Sequence, residues 1–210
     1  MSGTDRNQRP SNRTFDSEQH VLAGRIREAR LEAGIGLREF ARRVGCSAGL
    51  ISKIEHEEVL PSVSTLYAIA RELHVPIDIL FASDGHGSAT KKRSSGGVSV
   101  AYNLVRSRGT GIRLPHGVEW RRLATGNNSI VEFREIIYHP GAMTVPKGQM
   151  LQHQGHEHGM VIDGCFMVQL GDDVLKLWPG DSVAFGAQVP HRLWNPGPDM
   201  ARAVWIIQVE

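Results

Sequence analysis

Long apolar runs are missing from this 210-residue chain. No stretch approaches the ~20 consecutive apolar residues that a membrane-spanning helix requires. The first 20 residues are polar and lack the hydrophobic core of an export signal, so a cytoplasmic protein with no membrane partner is expected. Cysteine is scarce as well. Cys46 and Cys165 are the two present, far apart and in no CxxC pattern, which excludes a disulfide framework and fits a reducing compartment. Aromatic residues make up only 6%. Nor is there an excess of one charge: Lys and Arg number 24 against 22 Asp and Glu. Divided by segment the balance is closer still, with eight against eight from His20 to Phe81 and ten against ten from Val98 onward. The small surplus lies in Lys91, Lys92 and Arg93. Any nucleic-acid function must therefore rest on local pattern rather than bulk charge.

The pattern divides the chain into four segments. Residues 1–19 have no apolar period and read as a disordered tail. Residues 20–81 carry helical periodicity. Residues 82–97, ASDGHGSATKKRSSGG, read as a flexible linker with the basic triplet solvated. Residues 98–210 change to β patterning, densest over 138–207.

Five short helices are expected in the second segment. Leu22, Ile26, Ala29 and Ala33 form an apolar stripe that Gly34 ends. Leu37, Phe40, Ala41 and Val44 repeat the spacing, and Gly45 supplies the left-handed residue for a sharp turn. Ser47 is placed to cap a third helix with Leu50, Ile51 and Ile54 inside, and Ser62 a fourth with Leu66, Ile69, Ala70 and Leu73. Pro76 suits the first turn of a fifth, ending near Phe81.

Two short helices joined by a glycine turn suit major-groove insertion, but many bundles contain such a pair. The ordered residues are more specific. Arg27-Glu28-Ala29-Arg30, Phe40-Ala41-Arg42-Arg43-Val44-Gly45, Leu50-Ile51-Ser52-Lys53-Ile54-Glu55 and Pro61-Ser62 resemble the phage-repressor and Xre family of helix-turn-helix domains almost end to end. That resemblance implies a double-stranded DNA operator as partner and makes the third helix the recognition helix. Ser47, Ala48, Gly49, Ser52 and Lys53 would face base edges or phosphates, and Arg38, Arg42 and Arg43 would contact phosphate. Glu55, Glu57 and Glu58 would point away from the DNA.

After Val98, short strands alternate with turn clusters such as Pro140-Gly141, Gly171-Asp172-Asp173 and Pro179-Gly180-Asp181. This spacing indicates an all-β sandwich or jelly-roll barrel. Glu157 with Gly164, Gly180-Asp181, Pro190-His191 and Asn195 resemble the two motifs of the cupin family, whose fold is a double-stranded β-helix barrel. In cupin enzymes four ligands are usual; here Leu151 occupies the first position, and His153, Glu157 and His191 the other three. His156 and His158 would face away. Two histidines and a carboxylate can hold iron(II), or zinc with a bound water. The competing reading is a polar pocket in which the same three side chains hydrogen-bond an effector without metal. Trp120, Tyr138, Met160 and Trp194 are candidates for the pocket wall.

These resemblances together imply an all-α helix-turn-helix domain followed by a cupin sensor. The expected protein is a homodimeric transcriptional regulator that answers to a small-molecule effector, a metal, or both, and is not an enzyme. The alternative is a mononuclear non-haem iron enzyme, since a helix-turn-helix segment joined to a cupin with His153, Glu157 and His191 also resembles hydroxypropylphosphonate epoxidase.

Overall fold

A computed structural model describes residues 12–75, 77–80, 91–95, 98–102, 111–124 and 131–208. The expectations for residues 1–11, for Pro76 and for most of the linker lie outside these residues. Helix α1 (Asn12–Glu32) starts within the segment read as a tail. It is followed by α2 (Leu37–Val44), α3 (Ala48–Glu55) and α4 (Val63–Leu73).

The caps form as the sequence requires. Gly45 adopts φ 82°, and its N–H donates to the carbonyls of Ala41 and Arg42, closing α2 where a side chain would be strained. Ser47 Oγ accepts from Leu50 N at 3.1 Å, and Ser62 Oγ from Thr65 N at 3.2 Å, satisfying donors the helices cannot. Leu22, Ile26, Phe40, Ala41, Ile51, Ile54, Leu66 and Ile69 meet in one buried core.

Two fold expectations need correction. Among the described residues the helical domain has four helices of two turns or more, not five: the segment expected as the fifth is a single turn, Ile77–Leu80, whose Ile77 and Leu80 are buried. Four residues are too few to form an independent helix, and tertiary packing holds this turn. The second correction is that no closed barrel is seen among the described residues. Among the described residues the strands β3 (Gly111–Leu114), β4 (Val118–Arg122), β5 (Val131–Tyr138), β6 (His156–Asp163), β9 (Ser182–Gly186) and β11 (Ala201–Gln208) form a six-stranded sheet in the order β3-β4-β5-β11-β6-β9. Strands β7 (Phe166–Leu170), β8 (Asp173–Leu177) and β10 (His191–Trp194) form a separate three-stranded sheet. Outside the named strands, only isolated bridges such as Leu151–His191 add to the pairing. Short strands at turn spacing specify two packed layers, but they do not specify whether the edges close. A hairpin of β1 (Lys91–Ser95) and β2 (Val98–Tyr102) pairs antiparallel where the linker was expected to end.

The two sheets share a core. Inward-facing Ile136, Tyr138, Val161, Ala203, Trp205 and Ile207 of the large sheet pack with Phe166, Val168, Leu177 and Leu193 of the small one. Strand β6 alternates strictly, with Glu157, Gly159 and Val161 buried and His156, His158 and Met160 exposed. Gly159 is obligatory here: a Cβ at this position would lie 1.9 Å from the ring of Trp205. Trp205 therefore presses onto the β6 backbone, two residues from Glu157.

Candidate metal centre and nucleic-acid interface

Glu157 reaches the interior because β6 alternates, and His191 because β10 begins there. His153 arrives differently, from the loop before β6 rather than from a strand. Each offers one donor atom, and the three atoms lie within 4.8 Å of one another. The side chains are 10%, 5% and 1% exposed for His153, Glu157 and His191.

The hydrogen bonds around the set determine what it can hold. His153 Nδ1 lies 2.9 Å from Gln154 O, and His191 Nδ1 lies 2.8 Å from Val189 O. A carbonyl oxygen only accepts, so in each ring Nδ1 carries the proton and a neutral ring keeps its lone pair on Nε2. Both Nε2 atoms point at Glu157 Oε1, at 2.7 and 3.2 Å. Yet neither contact has hydrogen-bond geometry, and both nitrogens are buried without a hydrogen-bonding partner. The other oxygen of Glu157, Oε2, is taken by Trp205 Nε1 at 2.7 Å.

Three electron-pair donors thus converge in a largely buried site, each oriented from behind by a second contact. Donors so placed repel one another unless a positive species sits between them, and protons or a metal ion are the choices. Burial alone would push the Glu157 carboxyl up; the imidazoles beside it more than offset this and hold it down at about 2. For His191, burial opposes the charged ring, but the negative charge of Glu157 beside it prevails and raises its pKa, so a metal ion has to displace a proton there to find the neutral ring. Two neutral histidines and one carboxylate with open positions fit iron(II), or zinc completed by water.

A cavity with a free volume of about 30 Å³ adjoins the set, lined by Glu157, His191, Tyr138, Arg134, Trp205 and Thr144 among others. That is room for water or a few ligand atoms. Of the expected wall residues, Trp120 and Tyr138 line it. Met160 does not; it is half exposed on the outward face of β6. Trp194 also lies outside the lining and instead stacks with Arg192, 4.4 Å away. Arg134, Trp205 and Thr144 were missed by sequence reasoning. Trp205 was findable, since it shares inward parity with Ala203 and Ile207 on β11.

This centre overturns the expectation that the protein is not an enzyme. A buried two-histidine, one-carboxylate set with open positions is a ligand arrangement that catalytic metal sites use. A flat exclusion of catalysis therefore does not stand.

On the helical domain, Arg38, Arg42, Arg43, Ser47, Gly49 and Lys53 are exposed, while Ala48 and Ser52 are half-buried. Arg42 and Arg43 are engaged with the chain itself. Arg42 Nη2 lies 2.6 Å and Arg43 Nε 2.7 Å from Glu39 Oε1, and Arg43 Nη1 lies 3.1 Å from Glu72. Hydrogen bonds from the two guanidinium groups hold the Glu39 carboxyl down at about 2. Glu55, expected to point away from the DNA, is buried and paired in bidentate fashion with Arg30 at 2.6 and 2.9 Å. Cys46 is half-buried, and burial pushes its thiol up; Cys165 is buried.

Comparison with known proteins agrees with this division. The helix-turn-helix family matches residues 26–80, and the cupin domain family residues 134–207. The HTH-type transcriptional regulator PuuR of Escherichia coli (strain K12) is 25% identical over 190 residues, covering 90% of this chain and 95% of the relative. A crystal structure of an HTH_3 family transcriptional regulator from Vibrio cholerae superposes with a TM-score of 0.68 at 18% identity, covering 93% of this chain and 99% of that one. Hydroxypropylphosphonic acid epoxidase from S. wedmorenis overlaps at a TM-score of 0.43 and 16% identity, over 91% of this chain and 99% of that enzyme, too loosely to bear on chemistry. The chain is thus a two-domain protein in which a helix-turn-helix domain of the transcriptional-regulator kind precedes a cupin domain.

Proposed function

We propose that the protein is a DNA-binding regulator whose cupin domain is a mononuclear divalent-metal centre, ligated by His153 Nε2, His191 Nε2 and Glu157 Oε1. The observation that carries this reading is the pair of buried Nε2 atoms, each left with a lone pair by a proton committed elsewhere on its ring. A pocket made only to hydrogen-bond an effector has no need to hold two imidazoles in the same metal-ready tautomer. When bound, the metal would offer open coordination positions to a small-molecule effector. The chain's own residues orient the ligands and exclude water: Trp205 fixes Glu157, Val189 O fixes His191, and Gln154 O fixes His153.

Recognition of operator DNA falls to α3. Lys53 is exposed and Ser52 half-buried there, while Ala48 and Gly49 permit close approach. Arg38 is an exposed candidate for phosphate contact. Arg42 and Arg43 must exchange Glu39 for phosphate, which weakens their share. The similarity to a regulator over nearly the whole chain supports this assignment. A homodimer is supported by the outward face of the large sheet, where exposed Met160 pairs with Val204 and exposed Ile162 follows on the same face. Such a dimer would address half-sites about 34 Å apart, inside the cell.

A second reading is favoured by the same open ligand set: the metal centre turns over a small substrate. Equilibrium dialysis of the metal-depleted chain against Zn2+ and, without oxygen, Fe2+ tests the shared premise. Tight binding of about one ion per chain, lost in His191→Ala, is the expected result. Iron binding with oxygen-dependent consumption of a small acid would select the enzyme reading, and no binding would remove the metal from both.

A further inference from the structure

The helical domain reaches the cupin cavity. Val63 and Tyr67 of α4 line it together with residues of the large sheet. The Tyr67 ring stacks on His153 with centroids 4.2 Å apart and an interplanar angle of 8°, and meets Trp120 edge-on at 6.2 Å. A second contact fixes the same docking: Ile77 N donates to Glu132 Oε1 at 3.1 Å, in a buried position.

His153 needs such support. Glu157 belongs to a strand and His191 begins one, but His153 sits on a loop, tied at its backbone by the 3.0 Å bond from its N–H to Ala187 O and without the alternation of a strand to aim its side chain. Its ring is placed by the Gln154 carbonyl on one edge and by the Tyr67 face. The plane of the imidazole decides where the Nε2 lone pair points, so a stacked ring that holds the plane holds the donor. The opposite side of the coupling is rigid too. Helix α4 packs on α2, and α2 on α3, so α4 cannot shift without carrying the recognition helix.

We propose that Tyr67 is the positioning residue for His153, and that filling the metal site and engaging DNA are thermodynamically linked through this stack. The proposal rests on the metal reading given above. Anything that reorients His153 changes the docking of α4, and anything that moves α4 loosens a ligand. The free volume of about 30 Å³ adds a consequence: an effector of more than a few atoms has to displace part of the lining, to which α4 contributes Val63 and Tyr67. Linkage is reciprocal, so the factor by which metal changes DNA affinity equals the factor by which DNA changes metal affinity.

The test uses the full chain, Co2+ as the metal because its visible absorption reports ligation, and a duplex carrying a site selected by this chain from random-sequence DNA. Co2+ is expected to change the duplex dissociation constant by at least ~5-fold, and saturating duplex to change the Co2+ constant by the same factor. In Tyr67→Ala both factors should fall to near unity, with an altered Co2+ spectrum. Tyr67→Phe, which keeps the ring, should restore them. If the alanine variant does not fold, Tyr67→Leu takes its place. Normal Co2+ binding without linkage in the unaltered chain overturns the proposal and leaves the metal site standing. So does linkage that persists in a folded ring-less variant. Failure of the unaltered chain to bind Co2+ overturns the metal site and the linkage together.

Discussion

The two domains treat their buried polar groups in opposite ways. In the helical domain the buried ion pair is closed on itself: Arg30 Nε and Nη2 meet both oxygens of Glu55, and Arg30 Nη1 donates to Ile35 O. Among the described residues, no buried side-chain nitrogen or oxygen of that domain is left without a partner. In the cupin domain two imidazole nitrogens, His153 Nε2 and His191 Nε2, are buried beside a carboxylate with no hydrogen bond to show for it. Desolvating a polar atom without pairing it costs free energy, and folds keep few such atoms. Arg30 and Glu55 therefore hold a structure, whereas His153, Glu157 and His191 wait for something. That contrast separates a scaffold from a candidate site among side chains that are all ionisable and all buried but the half-buried His153; Arg192 Nε, also buried without a hydrogen bond, belongs to a guanidinium that lies over the Trp194 ring.

The largest expected effect would break the scaffold half of the comparison. Glu55→Gln leaves the Arg30 guanidinium buried without its counter-charge and should cost about 3–5 kcal/mol in chemical denaturation. The metal-depleted cupin domain should unfold as before. A loss under 1 kcal/mol would mean the pair is solvated after all. On the site half, His191→Ala should lower divalent-metal affinity by at least ~100-fold in calorimetric titration, because a ligand atom is lost outright. It should leave the folding of the helical domain unchanged.

Trp205→Phe sharpens the comparison further. It keeps the apolar bulk over Gly159 but removes the indole N–H that fixes Glu157 Oε2, and a loss of ~10–100-fold in metal affinity is expected. An unchanged affinity would show that the second carboxylate oxygen needs no anchor. Smaller effects belong to the DNA-facing surface. Lys53→Ala should weaken operator binding and reduce the magnitude of the salt-dependence slope by about 1 if the ammonium meets a phosphate. Glu39→Gln releases Arg42 and Arg43 from their carboxylate, and a gain of ~2–5-fold in DNA affinity is expected at low salt. A loss instead would show that Glu39 holds the two arginines in their DNA-binding geometry.

Local features were legible in the sequence and long-range ones were not. The spacing of Leu22 and Ile26, of Phe40, Ala41 and Val44, and of Leu66, Ile69, Ala70 and Leu73 placed those residues in the core, since periodicity follows from the helix itself. Ser47 and Ser62 were readable as caps for the same reason. Ala33, expected in the α1 stripe, lies beyond the helix end and is exposed. The pairing of Glu55 with Arg30 was not readable, because the two are 25 residues apart and nothing local announces it. The metal donors were legible because Glu157 and His191 stand in motif positions. What the sequence could not show is how they are held. His153 and Gly155 precede β6, so no strand alternation aims the His153 ring, and the stacking of Tyr67 on His153 joins side chains from different domains. Closure of the strands was equally hidden, because it depends on edge-to-edge pairing rather than on strand number.

The central claim is that the converging donors form a metal site. Anomalous diffraction from crystals of the chain grown with Zn2+ tests it most directly. The expected result is one anomalous peak about 2.0–2.2 Å from His153 Nε2, His191 Nε2 and Glu157 Oε1. Density without anomalous signal, with both imidazoles turned into ordinary hydrogen bonds to Glu157 or water, would contradict it.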